Sequence, residues 1–104
     1  MDPATMRHYE RRARVMKALA HPSRLFITDR LARGPACVCE LTDLVGGDTS
    51  TVSRHLSVLR NAGIVEPEKR GNQVFYSLRV PCVLNWTSCV DGVLEDAARR
   101  AGAA

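Results

Sequence analysis

Two cysteines separated by one residue, Cys37-Val38-Cys39, offer the most reactive chemistry in this sequence. Such a pair can bind one soft atom with two sulfurs, or close on itself by oxidation. Trivalent arsenic and antimony are suited to it: both are soft, carry a lone pair and take three sulfurs in a pyramid. Two further cysteines, Cys82 and Cys89, stand near the C-terminal end, seven residues apart and on one face if the segment is helical. Cys82 opens that segment, whereas Cys89 lies within an apolar face, where free cysteine also packs as a small hydrophobe. A tetrahedral zinc site built from all four cysteines is possible by count. The histidines, His8, His21 and His55, fall outside the segments that would complete it.

These thiols need elements to hold them. Helical spacing of Tyr9, Ala13, Met16, Leu19 and Ala20 predicts a first helix over about Thr5–Ala20, with frayed residues 1–4 before it. His21-Pro22 ends it, and Pro22 suits the first turn of a second helix to about Arg33. Gly34-Pro35 is a stop signal. A short third helix follows over Val38–Val45, so the thiol pair sits at its start. Asp48, Thr49 or Ser50 can cap a fourth helix running to about Ala62, and Gly63 suits its left-handed end. The runs 64–69 and 74–79, joined through Arg70-Gly71-Asn72-Gln73, predict a β-hairpin. Pro67 makes its first strand an edge strand or an interrupted one. A last helix from about Pro81 to Arg100 has a broad apolar face with Val83, Leu84, Trp86, Val90, Val93 and Leu94; the final Ala-Gly-Ala-Ala is expected to fray.

In the fourth helix, Val52, Leu56 and Leu59 share one face and should point to the core. The rest of the helix then offers Ser50, Thr51, Ser53, Arg54, His55 and Ser57. Small hydroxyl residues around an arginine suit a helix that enters a DNA major groove roughly 12 Å wide. Lys69, Arg70, Asn72 and Gln73 place cations and amides at the hairpin tip, the composition of a wing along a phosphate backbone. Helix, turn, helix, basic hairpin is the order of a winged helix-turn-helix: mainly α with a small β-hairpin.

Bulk properties agree. The 104 residues allow one domain with a modest core, which a dimer would enlarge. The net charge of +4 suits a polyanionic partner. Eight of the basic residues fall within 7–33, against Glu10 and Asp29. No apolar run approaches the roughly 18 residues that span a bilayer, and no secretory leader is evident. A cytoplasmic location is expected, where thiols stay reduced, so the cysteines read as ligands or redox sensors rather than a disulfide framework. No general base, oxyanion donor or phosphate loop accompanies them, which disfavours an enzyme.

The runs Leu19-Ala20-His21-Pro22-Ser23-Arg24-Leu25, Cys37-Val38-Cys39-Glu40-Leu41, Thr51 through Val65 and Gly71 through Leu78 resemble the ArsR/SmtB family of bacterial repressors. The resemblance covers about Met16 to Leu94. It implies a homodimer, joined by the first and last helices, that binds double-stranded operator DNA and lets go when an inducer binds. It implies no permanently bound cofactor, and As(III) or Sb(III) as inducer on Cys37 and Cys39. The family's arsenic repressors often carry a third cysteine soon after the pair, but Leu41-Thr42-Asp43-Leu44 has none. Its cadmium and lead sensors use an N-terminal arm, and this one lacks cysteine. A third thiolate would then be Cys82, which stands where the zinc sensors carry a ligand, with Cys89 the alternative. A cadmium, lead or zinc sensor, or a redox or persulfide sensor bridging the pair to the last helix, are the competing readings.

Overall fold

A computed structural model describes residues 1–103. Five helices and three short strands follow in the order α1 (Pro3–Leu19), α2 (Pro22–Leu31), β1 (Ala36–Cys37), α3 (Val38–Val45), α4 (Thr49–Asn61), β2 (Val65–Arg70), β3 (Gln73–Leu78) and α5 (Val83–Ala103). This is a winged helix-turn-helix.

Local chemistry sets most of the boundaries. The Asp2 side chain accepts from the Thr5 amide at 2.8 Å, and Pro3 occupies the first turn. Residues 3 and 4, expected to fray, are therefore helical. His21 caps α2, its Nδ1 accepting from the Ser23 amide at 3.0 Å. Asp48 caps α4 and accepts from the Thr51 amide and the Ser50 hydroxyl, each at 2.7 Å. The Ser50 bond first, then Thr51, lowers the Asp48 carboxyl to about 2. Gly63 ends α4 at φ +83°, a conformation that side chains with a Cβ disfavour.

The sheet order is β1-β3-β2, all antiparallel, so β2 is an edge strand and tolerates Pro67. Arg70 pairs with Gln73 across the two-residue Gly71-Asn72 loop. Gly71 has φ +61° and no described non-glycine residue has positive φ, the pattern of a type II′ hairpin turn. β1 is an addition to the elements that the sequence predicts. Ala36 pairs with Tyr76 and Cys37 with Phe75, which ties the thiol segment to the wing strand.

The core gathers Leu19 from α1, Ile27 and Leu31 from α2, Leu41 from α3, and Val52, Leu56 and Leu59 from α4, closed by Ile64, Val65 and Tyr76. Buried Thr28 satisfies its hydroxyl on the Arg24 carbonyl at 2.8 Å. Among the described residues, α5 contributes no fully buried side chain. Val93 and Leu94 are 66% and 62% exposed, and Met16 and Trp86 are exposed as well. The radius of gyration is 16.2 Å, against about 13 Å for a compact chain of this length.

Candidate nucleic-acid interface and thiol site

The buried stripe of α4 fixes what its other face presents. With Val52, Leu56 and Leu59 inside, Ser50, Thr51, Ser53, Arg54 and Ser57 are exposed together. The Asp48 cap begins this face, so a carboxylate stands at its first turn.

His55, for which the sequence leaves packing or a phosphate contact open, takes a packing position. It is half-buried, and its ring lies 4.4 Å from that of His21. Arg24 Nη1 lies 3.3 Å from His55 Nδ1, while Arg24 Nε donates to the Ala18 carbonyl at 2.7 Å. A guanidinium only donates, so His55 Nδ1 accepts and the ring proton sits on Nε2. Burial first, then the charges of His21, Arg24 and Arg54, push the His55 pKa down. This histidine joins α4 to the α1–α2 corner instead of reaching outward. Arg24, absent from the sequence-derived site, is the residue that ties the three helices together. Its signal lies in the His-Pro-Ser-Arg run, which in sequence marks only a helix boundary.

At the wing, Lys69, Arg70, Asn72 and Gln73 are all exposed. Arg70 lies over the Phe75 ring at 4.7 Å and pairs with Glu68 at 3.3 Å. Both partners of that ion pair are well exposed, so it holds the arginine only weakly.

Cys37 and Cys39 come together, with Cα atoms 5.3 Å apart, and their sulfurs are joined as a disulfide. The sequence leads one to expect a reduced pair; the structure has it bridged. A bridge across one residue closes so small a loop that it restrains little of the unfolded chain. Cys37 is also the N-cap of α3, and its Sγ accepts from the Glu40 amide at 3.2 Å. In the open form the Cys37 sulfur would stand at the N-terminus of α3. Glu40 itself is drawn aside by Arg30, Nη2 to Oε2 at 2.7 Å.

The other two cysteines do not join them. Cys82 lines a depression with Arg12, Met16, Val83 and Trp86 on the α1/α5 side, whereas Cys37 and Cys39 face Thr49 and the wing. Cys89 is exposed on α5, not buried in an apolar face. Among the described residues of one chain, no three histidine, cysteine, aspartate or glutamate side chains form a metal-binding group.

The profile of bacterial regulatory proteins of the arsR family matches residues 21–67, from the His21 cap through the helix-turn-helix into β2. An uncharacterized helix-turn-helix-type transcriptional regulator of Methanocaldococcus jannaschii, MJ1325, is 42% identical over 72 residues, covering 68% of this chain and 81% of that one. This chain belongs to the arsR family. The arsenic resistance transcriptional regulator ArsR1 of Pseudomonas putida is 42% identical over 82 residues, covering 78% of this chain and 61% of that protein. The chain therefore spans about three-fifths of that relative's length. Among solved structures, the homodimeric winged helix-turn-helix DNA-binding domain Mb0332 of Mycobacterium bovis superposes with a TM-score of 0.81, at 28% identity, over 96% of this chain and 93% of that one. The relatives are transcriptional regulators, and no described helix here is long and apolar enough to cross a membrane.

Proposed function

We propose that this regulator is a homodimeric repressor, one winged helix-turn-helix unit per chain, released from its operator when trivalent arsenic or antimony binds cysteine thiolates. The observation that carries the reading is the meeting of Cys37 and Cys39 at the first turn of α3, the first helix of the DNA-reading motif. The resemblance to ArsR1 over most of this chain supports the metalloid.

The DNA contacts fall to Ser50, Thr51, Ser53, Arg54 and Ser57 of α4 and to Lys69, Arg70, Asn72 and Gln73 of the wing. Bare apolar side chains on α1 and α5, and the homodimer reported for Mb0332, support a dimer through those helices. A third thiolate from Cys82 would come from the partner subunit, because one chain does not gather three ligands among its described residues. The protein needs no resident cofactor and acts in the cytoplasm, where a thiol pool keeps the pair open. Inducer binding lowers DNA affinity only by favouring the form that grips DNA less well.

The bridged state of the pair supports a second reading, in which oxidation itself is the trigger and closes Cys37 on Cys39. One titration separates the two. Reduced protein on duplex DNA from upstream of its own coding sequence is treated with arsenite, antimonite, cadmium or a persulfide donor, with and without reductant. Release by arsenite or antimonite under reducing conditions, abolished in Cys37→Ser and Cys39→Ser, supports the metalloid reading. Release only by oxidant or persulfide moves the protein to the redox reading. Release by cadmium alone makes it a soft divalent-metal sensor.

A further inference from the structure

Resting on that reading of the thiol pair, we infer that its occupant acts on DNA binding through the wing, and that Gln73 is the positioning residue that couples them. A depression of about 370 Å³ is walled by Cys37 and Cys39 on one side, Thr49 at the start of α4 on another, and Asn72, Gln73 and Val74 of the wing on the third. Anything bonded to the two sulfurs therefore borders both elements that would touch DNA. Gln73 Nε2 points at Cys39 Sγ from 3.9 Å, a long contact even for sulfur. Gln73 is also the first residue of β3 and pairs with Arg70 across the hairpin loop. From the same strand, Phe75 pairs with Cys37 and carries the Arg70 guanidinium on its ring. Each sulfur is thus one residue contact from the basic tip.

The chemistry supplies the displacement. With the bridge closed, two external thiols first open it: one forms a mixed disulfide with a cysteine and frees the other, and the second releases that cysteine, leaving two protein thiols and an external disulfide. Each thiol then gives its proton to a departing hydroxide of arsenous acid. Two As–S bonds to this chain replace two As–O bonds and two waters leave; the third As–O bond is exchanged in the same way by Cys82 of the partner subunit, and arsenic stays trivalent. The Cys39 lone pair that faces Gln73 is drawn to arsenic, and a large atom enters the space beside the amide. Gln73 must move, and with it Arg70, its register partner.

The test uses the reduced full-length protein and duplex DNA from upstream of its own coding sequence. The readout is the ratio of operator Kd with and without arsenite, so a change in basal affinity cancels. Arsenite binding is followed directly by arsenic–thiolate ultraviolet absorption, and amide hydrogen exchange over residues 69–74 is followed without DNA. Gln73→Ala should bind arsenite with wild-type stoichiometry, while its release ratio shrinks by about fivefold or more, a typical span for allosteric coupling. Arsenite should change wing exchange in the wild type and not in Gln73→Ala. An unchanged release ratio, or a wild-type wing whose exchange ignores bound arsenite, overturns the inference. If wild-type protein binds no arsenite, or Cys37→Ser and Cys39→Ser release normally, the thiol-site reading falls instead, and the absorption measurement tells the two failures apart.

Discussion

From α2 through the wing, the chain supplies nearly all of the buried core, although Leu25, Phe26, Leu44 and Val74 stay exposed, whereas α1 and α5 leave most of their large apolar side chains bare. Leu31, Leu41, Leu56 and Leu59 are all nearly inaccessible; Tyr9, Met16, Trp86, Val90, Val93 and Leu94 are all exposed. The basic and hydroxyl residues assigned to DNA are carried by the closed half. The open half supplies the surface that a second copy would cover. The two cysteine sets divide the same way, with Cys37 and Cys39 against the wing and Cys82 against α1. On the reading proposed above, such a molecule reads DNA with the closed half and sets the spacing of two such halves with the other.

Substitutions in each half should therefore fail differently. Leu56→Ala, in the closed half, should cost about 2–5 kcal/mol of chain stability, since it leaves a cavity between α4 and its neighbours. Urea unfolding monitored by circular dichroism checks it; a loss below that range would mean this core is looser than its burial implies. Trp86→Ala and Leu94→Asp, in the open half, should leave the helix content intact and weaken dimerisation by about tenfold or more, as for an interface anchor. Sedimentation across a concentration series reads this out. A wild-type protein that is monomeric at micromolar concentration would remove the open half's assigned role.

Smaller effects sharpen the division. Arg54→Ala should weaken operator binding and reduce the log–log salt slope by about 1, leaving arsenite binding unchanged. Arg70→Ala should do less, because Arg70 is already partly engaged by Phe75 and Glu68. Unaltered affinity and slope in both variants would contradict the docking face.

The smallest effect concerns the junction at His55. Its folded pKa lies below the ordinary 6.5, so the unfolded chain binds the proton more readily. Stability should be level above about pH 6.5 and decline as pH falls below it towards the folded pKa. His55→Asn should show a shallower decline than wild type in thermal melts over that range. Equal slopes would mean that His55 is not held neutral by its burial and the neighbouring His21 and Arg24.

Much of this division was legible in the residues. The α3 boundaries follow from Gly34-Pro35 before it and Gly46-Gly47 after it, and α4 from its Asp48 cap and the Val52, Leu56, Leu59 stripe. Pro67 restricts its strand to an edge or an interrupted one, because proline cannot donate to a ladder, and the structure makes it the edge. Other features depend on the fold as a whole. β1 is two residues long, too short to show alternation, and exists only because β3 is beside it. His55 adjoins Leu56 at the margin of the buried stripe, where periodicity alone leaves its direction open, and Arg24, far away in sequence, decides it. Placing Cys82 with Cys37 and Cys39 required knowing which side of the domain α5 starts on. Spacing along the chain carries no such information.

Arsenic-edge X-ray absorption on the reduced dimer, comparing wild type with the single Cys→Ser variants, addresses the thiol site most directly. Three sulfur neighbours around arsenic are expected in the wild type. Cys37→Ser and Cys39→Ser should each lose one and gain oxygen, with release from DNA abolished; Cys82→Ser should lose the third. An arsenic shell that keeps its full sulfur count in Cys37→Ser and Cys39→Ser, or that contains only oxygen in the wild type, would contradict the thiolate-sensor reading.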